Sequence, residues 1–181
     1  MHRLKLINLI TAYSPLDAHE AQMREQLLEF INREPNCFDN FNPEGHVTAS
    51  AWILDPKALK VGLILHGRRN MWFQPGGHSD GRPDTPQEAL REAVEEFGIP
   101  SLKLSSENIF DIDVHTIEED IKRGLGAHLH FDIRFLVFGD SNIEPVVSSE
   151  SHAARWVPLQ EVLSMNNEPS IQRLVKKTQA L

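Results

Sequence analysis

Residues 72–99, WFQPGGHSDGRPDTPQEALREAVEEFGI, restrict the fold of this 181-residue chain more than any other stretch, because a double-glycine turn leads directly into a well-delimited helix. Thr85-Pro86-Gln87-Glu88 reads as a capping box. Thr85 would accept from the N–H of Glu88, Glu88 would reach back, and Pro86 would take the first helical position, where a missing N–H costs nothing. Gly98 follows the last periodic residue, as a left-handed C-terminal cap requires. The spacing therefore predicts a helix over 86–97. At about 100° per residue, Ala89, Leu90, Ala93, Val94 and Phe97 form its buried side, while Glu88, Glu92, Glu95 and Glu96 gather on another.

Two readings of that carboxylate stripe are open. A charge run on a helix is commonly a solvated face, but such faces usually alternate in sign, whereas Glu92 and Glu96 are like charges four apart. Only Arg91 stands close by, at the edge. Carboxylates kept together suit hard divalent cations, and Mg²⁺ in particular is held through a few carboxylates plus substrate phosphates. Gly76-Gly77 adds a backbone that a ligand or metal can approach closely.

These residues resemble the Nudix box, G-x5-E-x7-R-E-U-x-E-E-x-G-U with U aliphatic. Gly77, Arg91, Glu92, Glu95, Glu96, Gly98 and Ile99 fall at its spacing, while Pro83 stands where the first Glu belongs and Ala93 where a larger aliphatic is usual. The resemblance implies an α/β fold, a Nudix-type α/β/α sandwich with a mixed sheet. It also implies Mg²⁺ or Mn²⁺ bound by Glu92, Glu95 and Glu96 with the backbone of Gly77, and Arg91 orienting a glutamate by a salt bridge. In the family the first Glu supports the loop and helix, a role open here to Asp84 or Asp80. Glu150 resembles an accessory acidic residue found before the Trp in many members, and Ala153 stands where some carry another Glu.

The formal net charge of −8 argues against a general nucleic-acid or membrane surface and favours a metal as the bridge to an anionic substrate. The single cysteine, Cys37, excludes an internal disulfide and fits a reducing, cytoplasmic setting, with an ordinary apolar packing role. Residues 4–12 faintly imitate a signal peptide, but Asn8 and Thr11 interrupt the run and no clear cleavage site follows. The length suits one domain with a terminal extension.

Residues 1–41 read as a helical extension, with a helix start at Ser14-Pro15-Leu16-Asp17 and Met23, Leu27, Leu28, Phe30 and Ile31 at helical spacing, serving packing or a homodimer. Phe38 and Phe41 could dock it onto the main domain, 42–181. There, 47–53 and 61–65 read as a hairpin, 72–74 as a brief strand, and 109–114, 129–138 and 155–157 as further strands, with helical stretches from Leu159 onward. His115 with Glu118, Glu119 and Asp120 reads as a solvated loop, and Trp156 as core.

In 126–139, GAHLHFDIRFLVFG, a period of two puts His128, His130, Asp132 and Arg134 on one face and Leu129, Phe131, Ile133 and Phe135 on the other. The polar face is either a substrate platform, with Arg134 and the histidines meeting phosphate, or the exposed side of an edge strand. His-x-His also suggests a transition-metal pair, though without a third strong ligand nearby. His78, after the glycines, is a phosphate contact or a loop hydrogen bond. Trp72, Phe73 or Trp52 could stack on a base or pack as core.

The expected activity is that of a divalent-metal-dependent pyrophosphohydrolase cleaving a nucleoside diphosphate linked to another group, such as a nucleotide sugar or ADP-ribose-like compound. One of Glu92, Glu96 or Glu150 would take the proton of the attacking water. Pro83 keeps open a non-catalytic module that senses a nucleotide. A prenyl diphosphate isomerase would want a catalytic cysteine, and Cys37 lies in the wrong part of the chain.

Overall fold

The structure is a computed structural model and describes residues 2–67, 69–119, 124, 126–147 and 151–181. Its strands are β1 (Gly45–Asp55), β2 (Lys60–His66), β3 (Trp72–Phe73), β4 (Gly76–His78), β5 (Lys103–Ile117), β6 (His128–Phe138) and β7 (Ser151–Pro158). They form one mixed sheet in the order β3-β2-β1-β6-β5, with β4 also on β1 and β7 on β2. The expected hairpin is present: Ile53 faces Gly62, and Asp55 closes the turn by accepting from the N–H groups of Lys57 and Ala58. The β1–β6 pair is parallel, so β6 is a central strand between β1 and β5.

Alternation along β1 sends Val47, Ala49, Ala51 and Ile53 to one side of the sheet and Trp52 and Leu54 to the other. The first side is covered by α1 (Leu4–Ala12), α2 (Ala18–Arg33) and α3 (Thr85–Phe97), the second by α4 (Val162–Met165) and α5 (Pro169–Thr178). This is the α/β/α layering that a mixed sheet with two apolar faces requires.

Residues 2–41 contain two helices, α1 and α2. Asp17 caps α2, its carboxylate accepting from the N–H of Glu20 at 2.9 Å. Leu6, Ile10, Leu27, Phe30 and Ile31 are buried in the same apolar layer as Ala89, Ala93 and Phe97 of α3, and Phe30 stacks on Phe131 with centroids 4.2 Å apart. Phe38 is buried, whereas Phe41 is 63% exposed. Cys37 is buried as well, and burial pushes its thiol up to about 11, consistent with packing rather than reactivity. Among the described residues no helix is long and apolar enough to cross a membrane.

Two local expectations are corrected. His115 lies on β5 rather than in a loop, because β5 continues antiparallel to β6 as far as Ile117 opposite His128; Asp120 is outside the described residues. The capping box does not form: Asp84 occupies the cap position without a side-chain cap bond, its carboxylate being drawn to Lys5 at 2.8 Å, and the Thr85 hydroxyl is buried without a hydrogen-bond partner. Trp156 packs, partly buried, against the apolar layer, edge-on to Phe97 and donating to the carbonyl of Ile143.

Candidate active site

The carboxylates of α3 meet the backbone of β4. Gly98, at φ 70°, ends α3 in the left-handed conformation anticipated for it. On the helix, Glu92 lies so close to Gly77 that a Cβ added there would fall 2.8 Å from the Glu92 carboxyl carbon. Glycine at this position is thus what lets the carboxylate rest on the turn. The N–H of Gly76 donates to Glu96 at 2.8 Å. Glu95 stands further out, its side chain 58% exposed.

Arg91 is more than an edge cation. Its guanidinium donates to Glu88 at 2.8 Å, Glu92 at 2.5 Å and Glu95 at 2.7 Å, and reaches the carbonyl of His78 at 3.3 Å. Burial works against its charge, but Glu88 and Glu92 outweigh it and raise its pKa. Glu88, read as half of a cap, instead anchors Arg91 with its carboxylate buried, and also faces Arg82 at 3.4 Å. The donors gathered at Gly76–His78 are carboxylate oxygens beside half-buried backbone, the set that Mg²⁺ or Mn²⁺ takes, so the residues present fit such an ion.

Arg134 does not lie on an exposed edge strand. Its side chain is 4% exposed and is surrounded by Asp132 at 2.7 Å, Asp111 at 3.2 Å and Asp113 at 3.3 Å. The reason is topological: β6 is central, and α5 lays Arg173 and Lys177 over the same face. Arg173 meets Asp111 at 2.7 Å and Asp113 at 2.9 Å, while Lys177 meets Asp111 at 2.7 Å and also Glu20 of α2. Asp132 further accepts from Thr48 at 3.0 Å and Ser50 at 2.8 Å. The guanidinium is thus committed to carboxylates within the fold.

The next row of the same face holds histidines. His46 of β1 pairs in register with His130 of β6, and His130 with His115 of β5. His78 of β4, opposite Thr48, joins them, with ring centroids 5.0 Å from His46 and 5.4 Å from His130. His128 lies 5.1 Å from His46. Burial first, then the neighbouring imidazoles, push the pKa of His130 down to about 2, so at neutral pH it is an uncharged base rather than a cation. The structure thus brings together His78, His128 and His130 from the sequence analysis, adds His46 and His115, and leaves Arg134 out. Alternation in HVTAS could have placed His46, Thr48 and Ser50 on one face, but not beside β6.

Trp72 is half-buried at the sheet edge, with the Arg155 guanidinium 4.4 Å from its ring centroid. Trp52 is fully buried and donates to Thr178, and Phe73 is buried beneath Arg69, so both are core. Glu150 lies outside the described residues.

The family model for the NUDIX domain matches residues 44–177. Among solved structures, the C. elegans Ap4A hydrolase binary complex is similar at 19% identity and a TM-score of 0.55, over 74% of this chain and 95% of that one. The E. coli dihydroneopterin triphosphate pyrophosphohydrolase is similar at 14% and 0.55, over 75% and 96%. The NUDIX domain of Shewanella oneidensis NrtR complexed with ADP ribose is similar at 18% and 0.51, over 84% and 96%. A search of curated proteins gives no significant match.

Proposed function

The chain belongs to the Nudix family, whose hydrolases act on phosphoric anhydride bonds, and from that premise we propose that it is a Mg²⁺- or Mn²⁺-dependent pyrophosphohydrolase of a nucleoside diphosphate linked to another group. The observation that carries this reading is the convergence of Glu92, Glu96 and Arg91 on the turn at Gly76–His78. Residues 42–181 would carry the chemistry, with residues 1–41 bracing it.

Glu92, Glu95 and Glu96, with the backbone of Gly77, would hold the cation. When bound, it neutralises pyrophosphate oxygens and orients nucleophile and leaving group. Water adds to one phosphorus, the bridging P–O bond breaks, and two phosphate monoesters leave. Glu92 or Glu96 takes the water's proton; both are held against β4, so neither must be ordered at the moment of reaction. Arg91 positions this set, because one planar fork fixes Glu92 and Glu95 against Glu88. Trp72, at the rim beside Arg155, is the remaining aromatic candidate for the nucleoside.

The test is turnover with Mg²⁺ on nucleotide sugars, ADP-ribose, dinucleoside polyphosphates and nucleoside triphosphates. Glu96→Gln and Glu95→Gln should each lower kcat by at least about a hundredfold, roughly 2.7 kcal/mol of barrier, with the fold intact. Native-like turnover in both variants would remove the metal assignment.

A further inference from the structure

We propose that His46, His78 and His130 form a second, nitrogen-based metal site, separate from the glutamates of α3, that takes one late first-row divalent ion of the Zn²⁺ type. One ring nitrogen from each of the three residues lies within 4.8 Å of the other two. They come from three strands, β1, β4 and β6, whose register places them on a single face. Tetrahedral zinc at 2.0–2.1 Å from each nitrogen holds its ligands roughly 3.4 Å apart, a contraction that rotation of the side chains can supply.

The surroundings match what such ions select. Imidazole suits Zn²⁺, Cu²⁺ and Ni²⁺, whereas Mg²⁺ and Mn²⁺ prefer the carboxylate and carbonyl oxygens of the glutamate turn, so the two sites differ in hardness. Two further histidines stand in the posture of ligands. The Nδ1 of His115 is 3.0 Å from the Asp113 carboxylate and that of His128 is 2.8 Å from the carbonyl of Gly126. In each ring that contact directs the proton to Nδ1 and turns Nε2 into a donor of electrons, the arrangement common among metal-bound histidines. Both rings stand beside His130, at centroid distances of 5.6 and 5.4 Å, outside the three-nitrogen group itself. His46 is fully buried and His130 half-buried, so the three rings form one closely packed group on a single face that one cation can bridge.

The consequence is a staple. His78 directly follows Gly76-Gly77, so an ion shared with His46 and His130 fixes β4 to β1 and β6 beside the glutamates. The inference does not depend on the hydrolase reading, because its readout is metal binding.

The full-length native protein, stripped with a chelator, is titrated with Co²⁺ and then Zn²⁺. One equivalent of Co²⁺ should give the intense visible absorption of a low-coordinate ion, displaced by one equivalent of Zn²⁺, and Zn²⁺ should raise the thermal midpoint. His46→Ala and His130→Ala should lose both effects, while Glu96→Gln keeps them. The proposal is overturned if native protein gives only the pale spectrum of six-coordinate Co²⁺, or if the intense band survives in both histidine variants. Because His46 is fully buried and its variant can fail to fold, zinc-edge X-ray absorption on the native protein decides without substitution. Three or more imidazole ligands support the site, and an all-oxygen shell refutes it.

Discussion

Replacing Arg134 by Ala separates a structural guanidinium from a recognition one. The side chain is 4% exposed and contacts Asp132, Asp111 and Asp113 at 2.7–3.3 Å. Removing it leaves Asp111 with Arg173 and Lys177, and Asp113 with Arg173, but Asp132 loses its ion pair and retains, among the described residues, the hydroxyls of Thr48 and Ser50. Breaking a buried ion pair from one side costs about 3–5 kcal/mol, since the partner charge stays desolvated. In a chain of this length each kcal/mol moves the thermal midpoint by about 2–4 °C, so Arg134→Ala should lose roughly 6–20 °C. Circular dichroism melts give the midpoint, and kcat/KM is measured at a temperature where the variant is folded. Arg134→Met with Asp132→Asn should be less destabilised than the sum of the single variants, because the second change removes the stranded charge. A midpoint within about 2 °C of native together with a tenfold to hundredfold fall in kcat/KM would refute the reasoning and return Arg134 to the substrate.

Pro83→Glu restores the residue expected at the first acidic position of the box, yet Arg91 is already anchored by Glu88; activity should change by less than about tenfold, or 1.4 kcal/mol of barrier, and a much larger gain in a kinetic comparison would mark the natural chain as a weakened enzyme. Acid should unfold the protein through its buried network. Burial pushes the carboxyl of Glu20 up, but the N–H of Leu16 with Lys177 and Tyr13 outweigh it and hold it at about 2, below its ordinary 4.5. Its contribution, about 3 kcal/mol, is therefore complete above pH 4.5 and lost as pH falls toward 2. Urea midpoints that stay flat through this window would contradict the assignment.

What the sequence made legible was local. The 3.6-residue period of 85–97 and Gly98 at its end mark α3, and the period of two in 128–138 separates Phe131 and Phe135, which are core, from His130 and Arg134, which are not. Neither period says what lies across from a polar face. The same alternation placed His130 and Arg134 together, but only the parallel pairing of β1 with β6 brings His46 to one, and only α5 brings Arg173 toward the other. The network of Asp111, Asp113, Arg134 and Arg173 spans three elements separated by up to 62 residues, so no window of sequence contains it. The cap at 84–88 failed for a related reason. Thr85 and Glu88 have the right spacing, but Arg91 and Lys5 compete for Glu88 and Asp84, and charge-assisted bonds are stronger than a neutral cap.

The loop that carries Pro83 is held by residues from the N-terminal segment. The loop before α3 is tied to them by Lys5 to Asp84 at 2.8 Å, by Asn40 to Asp80 at 2.5 Å, and by the N–H of Gly81 donating to the carbonyl of Phe38 at 3.0 Å. An exposed ion pair such as Lys5–Asp84 contributes only about 0–1 kcal/mol when both side chains must be ordered for it. Here much of that ordering is already set, because Leu6 and Ile10 are fully buried and fix α1, and Phe38 is buried next to the backbone that receives Gly81. Proline itself narrows the loop's freedom by fixing φ at 83. The loop before α3 is thereby placed by three contacts from the N-terminal segment. Loosening α1 at Leu6 should therefore disturb the helix start that carries Glu88 and Arg91, even though no residue of α1 belongs to the carboxylate cluster.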